Sequence, residues 1–127
     1  MIYLLIMSDK KYYTYLVNME GTNTCKIGYT NERKGPEGRL KELQTGCPYK
    51  LKVLGSYLSE YGKKIEGILH RQYATKKIDE SMNELLGEWF ELDDDDIDNF
   101  EKECKETENT IIFLIEESTF NDPLKFI

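Results

Sequence analysis

The spacing of apolar residues changes along this chain of 127 residues, and that change restricts the fold more than any other feature. Residues 11–18 are rich in Tyr, Thr and Val, which is typical of a β-strand, and residues 25–29 form a second short segment of this kind. The turn-forming residues 20–24 between them predict a hairpin. Over residues 61–73, apolar side chains instead recur at three- and four-residue steps, the spacing of one face of an α-helix.

A further helix and strand are predicted between the hairpin and that helix. Pro36 suits the first turn of a helix, Leu40 and Leu43 are spaced for its buried side, and Gly46 marks its end. Residues 50–58 then alternate between apolar and charged side chains, which predicts a half-buried strand.

The last third of the chain is predicted to hold a short strand, a helix and a final strand. Residues 88–92 contain the only Trp and predict a short strand or docking segment, and residues 110–115 (TIIFLI) predict a buried strand. The four Asp of residues 93–96 indicate a helix N-terminus, because the helix dipole favours carboxylates there. The buried side of that helix is predicted at Ile97, Phe100 and Cys104. The mixture of strands and helices predicts an α+β domain.

Length and composition exclude several classes of protein. The chain is long enough for one domain with one core. Its longest apolar run, residues 2–7, is too short to span a bilayer and lacks the flanks of a secretion signal. Cys25, Cys47 and Cys104 are odd in number and widely spaced, so we expect neither a disulfide framework nor a cysteine metal site. A reducing, intracellular setting is the simpler interpretation.

The charge is divided between the two parts of the chain. Residues 1–78 hold 14 Lys or Arg and 7 Asp or Glu, a net charge of +7, whereas residues 79–127 hold 3 Lys and 17 Asp or Glu, a net charge of -14. A basic part and an acidic part suggest one surface that meets a polyanion and another kept away from it. The alternative is that both are solvated faces of a small protein, and the acidic part could mimic DNA or repel it.

Five polar residues on predicted elements form the candidate site. Tyr15 lies on the first strand, Lys26 on the second and Arg39 on the first helix, while Glu66 and His70 are neighbours four residues apart on the second helix. This set suits phosphodiester chemistry, because a carboxylate can hold Mg²⁺, a guanidinium can bind phosphate and a phenol can move a proton.

Four of these residues also have a purely structural interpretation. Tyr15 could pack on a sheet face, and Arg39 could lie on an exposed helix. Glu66 could pair with Lys63 or His70 on the helix surface, and His70 could be a satisfied histidine at the edge of the core.

The sequence resembles the GIY-YIG nuclease superfamily, closest to the branch often called T5orf172 or Mug113-like. The similarity covers roughly residues 12–100, and five motifs occur in the family's order. These motifs are residues 13–17 (YTYLV), 26–30 (KIGYT), 39–48 (RLKELQTGCP), 66–70 (EGILH) and 87–90 (GEWF).

The resemblance implies a small antiparallel three-stranded sheet flanked by helices and a metal-dependent cleavage of DNA. It implies that Tyr15 lies beside the attacking water, that Arg39 stabilises the scissile phosphate, and that Glu66 is the sole protein ligand of Mg²⁺ or Mn²⁺. Lys26 stands in place of a tyrosine and would bind phosphate or lower the pKa of Tyr15. His70 would orient Glu66 or transfer a proton. We expect a domain over residues 1–100 and an acidic C-terminal extension over residues 101–127 packed on it.

The motifs also depart from the family pattern. Tyr13 and Thr14 stand where the first motif has Gly and Ile, and Asn83 is the nearest candidate for the asparagine that follows the glutamate helix. Two alternatives therefore stay open beside the endonuclease. One is a degenerate domain that binds nucleic acid without cutting it, and the other is a protein-interaction module that uses the acidic part of the chain.

Overall fold

The computed structural model describes residues 10–78 and 89–120, with side chains described up to residue 118. The predictions for residues 2–7 and for Asn83 lie outside the described residues. The strands are β1 (Tyr12–Met19), β2 (Thr24–Asn31), β3 (Leu51–Ser59) and β4 (Trp89–Glu91). The helices are α1 (Gly35–Gln44), α2 (Gly62–Gln72), α3 (Asp94–Asp98) and α4 (Phe100–Phe120), with a 3-10 turn at Ala74–Lys76.

The strands form one antiparallel sheet in the order β3-β1-β2-β4. Strands β1 and β2 form the predicted hairpin, and its turn contains Gly21 with a positive φ of 84°, which glycine adopts without strain. The predicted α+β class is confirmed, but the expected count of three strands is wrong. The fourth strand, β4, pairs with β2 from Thr24–Glu91 to Lys26–Trp89.

The sheet separates two apolar layers, because successive side chains of a strand point to opposite faces. Leu16 of β1 faces the layer that contains α2 and α4, whereas Val17 faces the layer that contains α1. Strand β4 contributes to both layers, since Phe90 belongs to the first and Trp89 to the second. Burying these two large rings explains why three residues suffice to hold a fourth strand.

The predicted phase is confirmed for α2 and, at Phe100 and Cys104, for the first part of α4. In α2, Ile65 and Leu69 are buried, and in α4 the buried residues follow one another at four-, three- and four-residue steps. These α4 residues are Phe100, Cys104, Thr107 and Ile111.

The prediction of a strand at residues 110–115 is wrong, because these residues belong to α4. Ile111 continues the buried stripe of that helix, whereas Phe113 is 61% exposed. These six residues have high β-propensity, but they continue the helix that begins at Phe100. Their burial therefore changes around the helix, from a buried side to an exposed side.

The aspartate run begins a helix, as predicted, but that helix (α3) ends at Asp98. The single helix predicted through Ile97, Phe100 and Cys104 is therefore wrong, because Phe100 and Cys104 belong to α4. Asp93 accepts a hydrogen bond from the backbone N–H of Asp96, and Asp96 returns one to the N–H of Asp93, which together form a capping box. The division at residue 100 into a domain and an acidic extension stays a prediction. Over the described ranges, no helix is both long and apolar enough to cross a membrane.

Candidate active site

A polar cleft of about 250 Å³ lies along β2, and all five candidate residues line it. Arg39 comes from α1, and Glu66 and His70 come from α2, so residues far apart in sequence meet at one place. Among the described residues, the lining is Tyr15, Lys26, Ile27, Gly28, Tyr29, Arg39, Glu66 and His70.

The sheet topology explains where the cleft forms. The described pairing between β2 and β4 ends at Lys26 and Trp89, and the cleft is lined by the β2 residues that follow. Tyr15 belongs to the layer of α1, whereas α2 packs on the other layer of the sheet. Side chains from the two layers therefore meet at this edge instead of being separated by the sheet.

Gly28 makes room for the phenol of Tyr15. The two residues are partners in the β1–β2 register, and a Cβ atom at Gly28 would lie within 2.5 Å of Tyr15 Cζ and closer still to its hydroxyl. The Tyr15 ring therefore lies directly over the backbone of Gly28, in the space that the side chain of any larger residue at position 28 would fill.

Burial sets the protonation of Tyr15. Removal of its ring from water raises the pKa of the Tyr15 phenol, and the hydrogen bond with Arg39 opposes that rise without reversing it. Arg39 is the cation that lowers this pKa most, and a contribution from Lys26 stays a prediction. Since a guanidinium can only donate, the Tyr15 oxygen accepts from Arg39 and its own O–H remains available to donate.

A carboxylate on the same helix holds the guanidinium of Arg39. Arg39 Nη1 donates to Glu42 Oε1 at 2.8 Å, and Lys34 Nζ donates to Glu42 Oε2 at 2.7 Å. The hydrogen bonds from Lys34 and Arg39 lower the pKa of Glu42, which keeps it charged. Because this pair is exposed to solvent, it is weak enough for a phosphate to compete for the guanidinium.

Two of the contacts of the His70 ring are with the backbone of β2 and with Phe90. Its Nε2 lies 2.6 Å from the carbonyl oxygen of Ile27, and its ring meets Phe90 edge-on at 5.1 Å between centroids. A carbonyl oxygen only accepts, so Nε2 carries the proton of this hydrogen bond. That proton is already engaged with the backbone of β2, which favours an orienting role for His70 over proton transfer.

Glu66 is the carboxylate of the cleft. Its side chain is 20% exposed, and its Oε1 lies 3.6 Å from His70 Nε2. In the part of the chain that the structure describes, no group of three or more Cys, His, Asp or Glu is arranged to hold a metal ion. A carboxylate such as Glu66 in a polar cleft fits Mg²⁺, which prefers oxygen ligands and retains several waters.

Sequence reasoning missed three features of this site. Gly28 and Tyr29 lie inside the KIGYT motif, but only the register shows that one makes room for Tyr15 and that the other lines the cleft. The contact between Arg39 and Glu42 had a signal in the sequence, since residues three apart on a helix are neighbours.

The fold and the cleft together define an α+β domain with an assembled site of cationic, phenolic and carboxylate groups. The family model described as "T5orf172 domain" matches residues 11–107, a range that contains every residue of the cleft. The chain therefore belongs to the T5orf172 domain family. No curated protein and no solved structure matches it. Membership of this family indicates a nuclease-like or nucleic-acid-binding role.

Proposed function

We propose that this protein is a divalent-metal-dependent DNA endonuclease that hydrolyses phosphodiester bonds with a site of the GIY-YIG type. The observation that carries the proposal is the meeting of Tyr15, Lys26, Arg39, Glu66 and His70 in one cleft. These residues lie in a T5orf172 domain and occur in the order of the GIY-YIG motifs.

The two cations of the cleft would bind the scissile phosphate. The planar guanidinium of Arg39 can grip two phosphate oxygens at once, and the Lys26 ammonium supplies a second positive charge from β2. As water attacks, negative charge grows on the phosphate oxygens, so cations fixed beside them stabilise the transition state more than the ground state.

Glu66 would hold Mg²⁺ or Mn²⁺ through a carboxylate oxygen. A bound ion of this kind lowers the pKa of a coordinated water and stabilises charge on phosphate. His70 would keep the carboxylate and the β2 edge in place, because its Nε2 bonds Ile27 and faces Glu66.

Tyr15 would orient the attacking water and relay its proton. In the reaction, the water oxygen forms a bond to phosphorus, the P–O bond to one sugar breaks, and the departing oxygen takes up a proton. The raised pKa keeps Tyr15 as a neutral phenol at neutral pH. Its oxygen can therefore take a proton from water only as its own O–H proton is passed on.

The experiment that tests the proposal is nicking of supercoiled plasmid by the purified protein with Mg²⁺ or Mn²⁺. We expect nicked circles from the wild type and a loss of at least 100-fold in rate for Glu66→Gln and for Arg39→Gln. The matched controls are Glu37→Gln and Arg71→Gln, which change exposed residues of α1 and α2 outside the cleft.

Two other results would replace this proposal. Salt-sensitive DNA binding without nicking would identify a nucleic-acid-binding domain that does not cut. Absence of both nicking and binding would leave the protein-interaction module, and equal rates for the cleft and control variants would place the chemistry elsewhere.

A further inference from the structure

Tyr29 is an exposed aromatic residue at the mouth of the polar cleft. It lines the cleft and is 37% exposed, although its neighbours on β2, Gly28 and Thr30, are both buried. None of the hydrolytic steps proposed above uses this ring. An aromatic ring left in water beside a site for phosphate calls for a separate explanation.

The Tyr29 ring is held in place by two neighbours. Tyr12 meets it edge-on, with 6.2 Å between the ring centroids and 77° between the planes. Lys63, from the first turn of α2, places its Nζ 6.0 Å from the centroid of the Tyr29 ring. Because Lys63 lies over the ring, another flat group would stack on the face that Lys63 leaves open, and the fixed ring makes that stacking low in entropic cost.

A cationic groove lies next to this ring. It has a volume of about 550 Å³, and the described residues that line it include three cations and one carboxylate. Tyr12 connects the two features, because it contacts Tyr29 and pairs with Asn31 of the groove. The groove residues are Lys10, Lys11, Asn31, Glu32 and Arg33.

We propose that Tyr29 stacks on an unpaired base and that the groove takes the adjoining backbone, so that the substrate is single-stranded where it leaves the cleft. This inference rests on the proposed function, because the cleft would hold the scissile phosphate. In a duplex, each base is already stacked and paired. An exposed ring beside the cationic groove therefore favours binding of an unpaired strand over a duplex. The cations of the groove, joined by Lys63, would bind successive phosphates.

Binding to a 12-nucleotide single strand that carries 2-aminopurine tests this inference, with the same sequence as a duplex for comparison. The measurement is made in EDTA, so that cleavage does not contribute. We expect the wild type to bind the single strand more tightly and to change the 2-aminopurine fluorescence on binding. Tyr29→Leu should weaken single-strand binding about tenfold, lose the fluorescence change and leave duplex binding unaltered.

Tyr49→Leu is the matched control, since Tyr49 is 53% exposed and does not line the cleft or the groove. Lys63→Gln and Arg33→Gln should each reduce the salt dependence of single-strand binding by about 0.7 in slope. Circular dichroism of every variant shows whether a loss of binding reflects a loss of fold.

Several outcomes would overturn the inference. They are equal affinity for single strand and duplex, equal effects of Tyr29→Leu on both, and no difference between Tyr29→Leu and Tyr49→Leu. Binding that depends on Tyr29 without plasmid nicking would refute the catalytic proposal alone. Nicking with binding that ignores Tyr29 would refute this inference alone.

Discussion

The edge of the sheet at β2 and the helix α4 differ in charge and in how they are built. Among the described residues, the cleft at β2 brings Lys26 and Arg39 together with the carboxylate of Glu66. Residues 100–118 of α4 hold six Glu and two Lys, and this helix packs against β3 and α2. Because β1 separates β3 from β2, the acidic helix packs toward the β3 edge of the sheet, in the same layer as α2 but displaced from the cleft edge at β2. A net charge of -7 therefore coexists with a local site suited to phosphate.

The two regions also differ in what holds them together. The α4 side is formed by buried apolar contacts, including Phe100 and Ile111, whereas the cleft is formed by hydrogen bonds among Tyr15, Arg39 and Glu42. Substitutions in α4 should therefore change stability, and substitutions in the cleft should change activity. The predictions below test that distinction.

The largest expected effect on stability is at Phe100, which is 2% exposed in the core. Phe100→Ala should lower the free energy of unfolding by about 3–5 kcal/mol, because it leaves a cavity. The control is Phe113→Ala on the same helix, which should change it by less than about 0.5 kcal/mol. Urea unfolding measures both values. Similar losses in the free energy of unfolding at the two positions would contradict a helix α4 that buries Phe100 and exposes Phe113.

Gly28→Ala should affect the cleft most strongly. The new methyl group would overlap the Tyr15 phenol, so we expect a loss of about 1–3 kcal/mol in stability and of the order of 100-fold in nicking rate. Gly67→Ala on α2 is the control, because a Cβ there meets nothing within 4 Å. That change should stabilise the helix by up to about 1 kcal/mol. A fully active Gly28→Ala variant would contradict the placement of Tyr15.

Alkaline pH should destabilise the protein through groups around α4. Burial, followed by neighbouring glutamates, raises the pKa of Cys104 from 9.0 to about 12, and burial with Glu108 raises that of Tyr57 from 10.0 to about 12. As the pH rises, the unfolded chain loses the protons of Cys104 and Tyr57 before the folded chain does. The stability that depends on these two protons is therefore complete below pH 9 and is lost as pH rises toward 12. Urea midpoints between pH 8 and 11 should fall, and Cys104→Ala should remove the part that begins near pH 9. Urea midpoints that stay constant between pH 8 and 11 would contradict the raised pKa values of Cys104 and Tyr57.

The smallest effect is expected from the hydrogen bond between β3 and α4. Tyr57 Oη donates to Glu108 Oε1 at 2.7 Å, and Tyr57→Phe should cost about 1 kcal/mol of unfolding free energy. The nicking rate should stay at the wild-type value, because neither residue lines the cleft. A clear drop in the rate of this folded variant would show that α4 influences the site.

Most of the fold could be predicted from local patterns. The hairpin, α1, β3 and α2 each carry their own periodicity or turn residues, and the structure has all of them. The pairing of β4 with β2 could not be predicted, because it joins residues more than 60 positions apart and spans only three residues. The segment 110–115 was assigned to a strand from its β-branched composition, although its burial follows the phase of α4.

The members of the site could be predicted from motif order, but their electrostatics could not. Tyr15 and Lys26 lie on adjacent strands, and the sequence alone left open whether the ammonium lowers the pKa of the phenol. The burial of Tyr15 and its contact with Arg39 depend on how α1 packs across the sheet, so the direction of that shift required the structure.

The measurement that tests the account most directly is a map of amide chemical-shift changes in the full chain on adding a DNA oligonucleotide without metal. We expect the largest changes at residues 26–29, at Arg39 and at residues 66–70, with α4 unaffected over residues 101–118. Changes concentrated on α4, or absent from the cleft while DNA is bound, would contradict the claim that this cleft receives the phosphodiester.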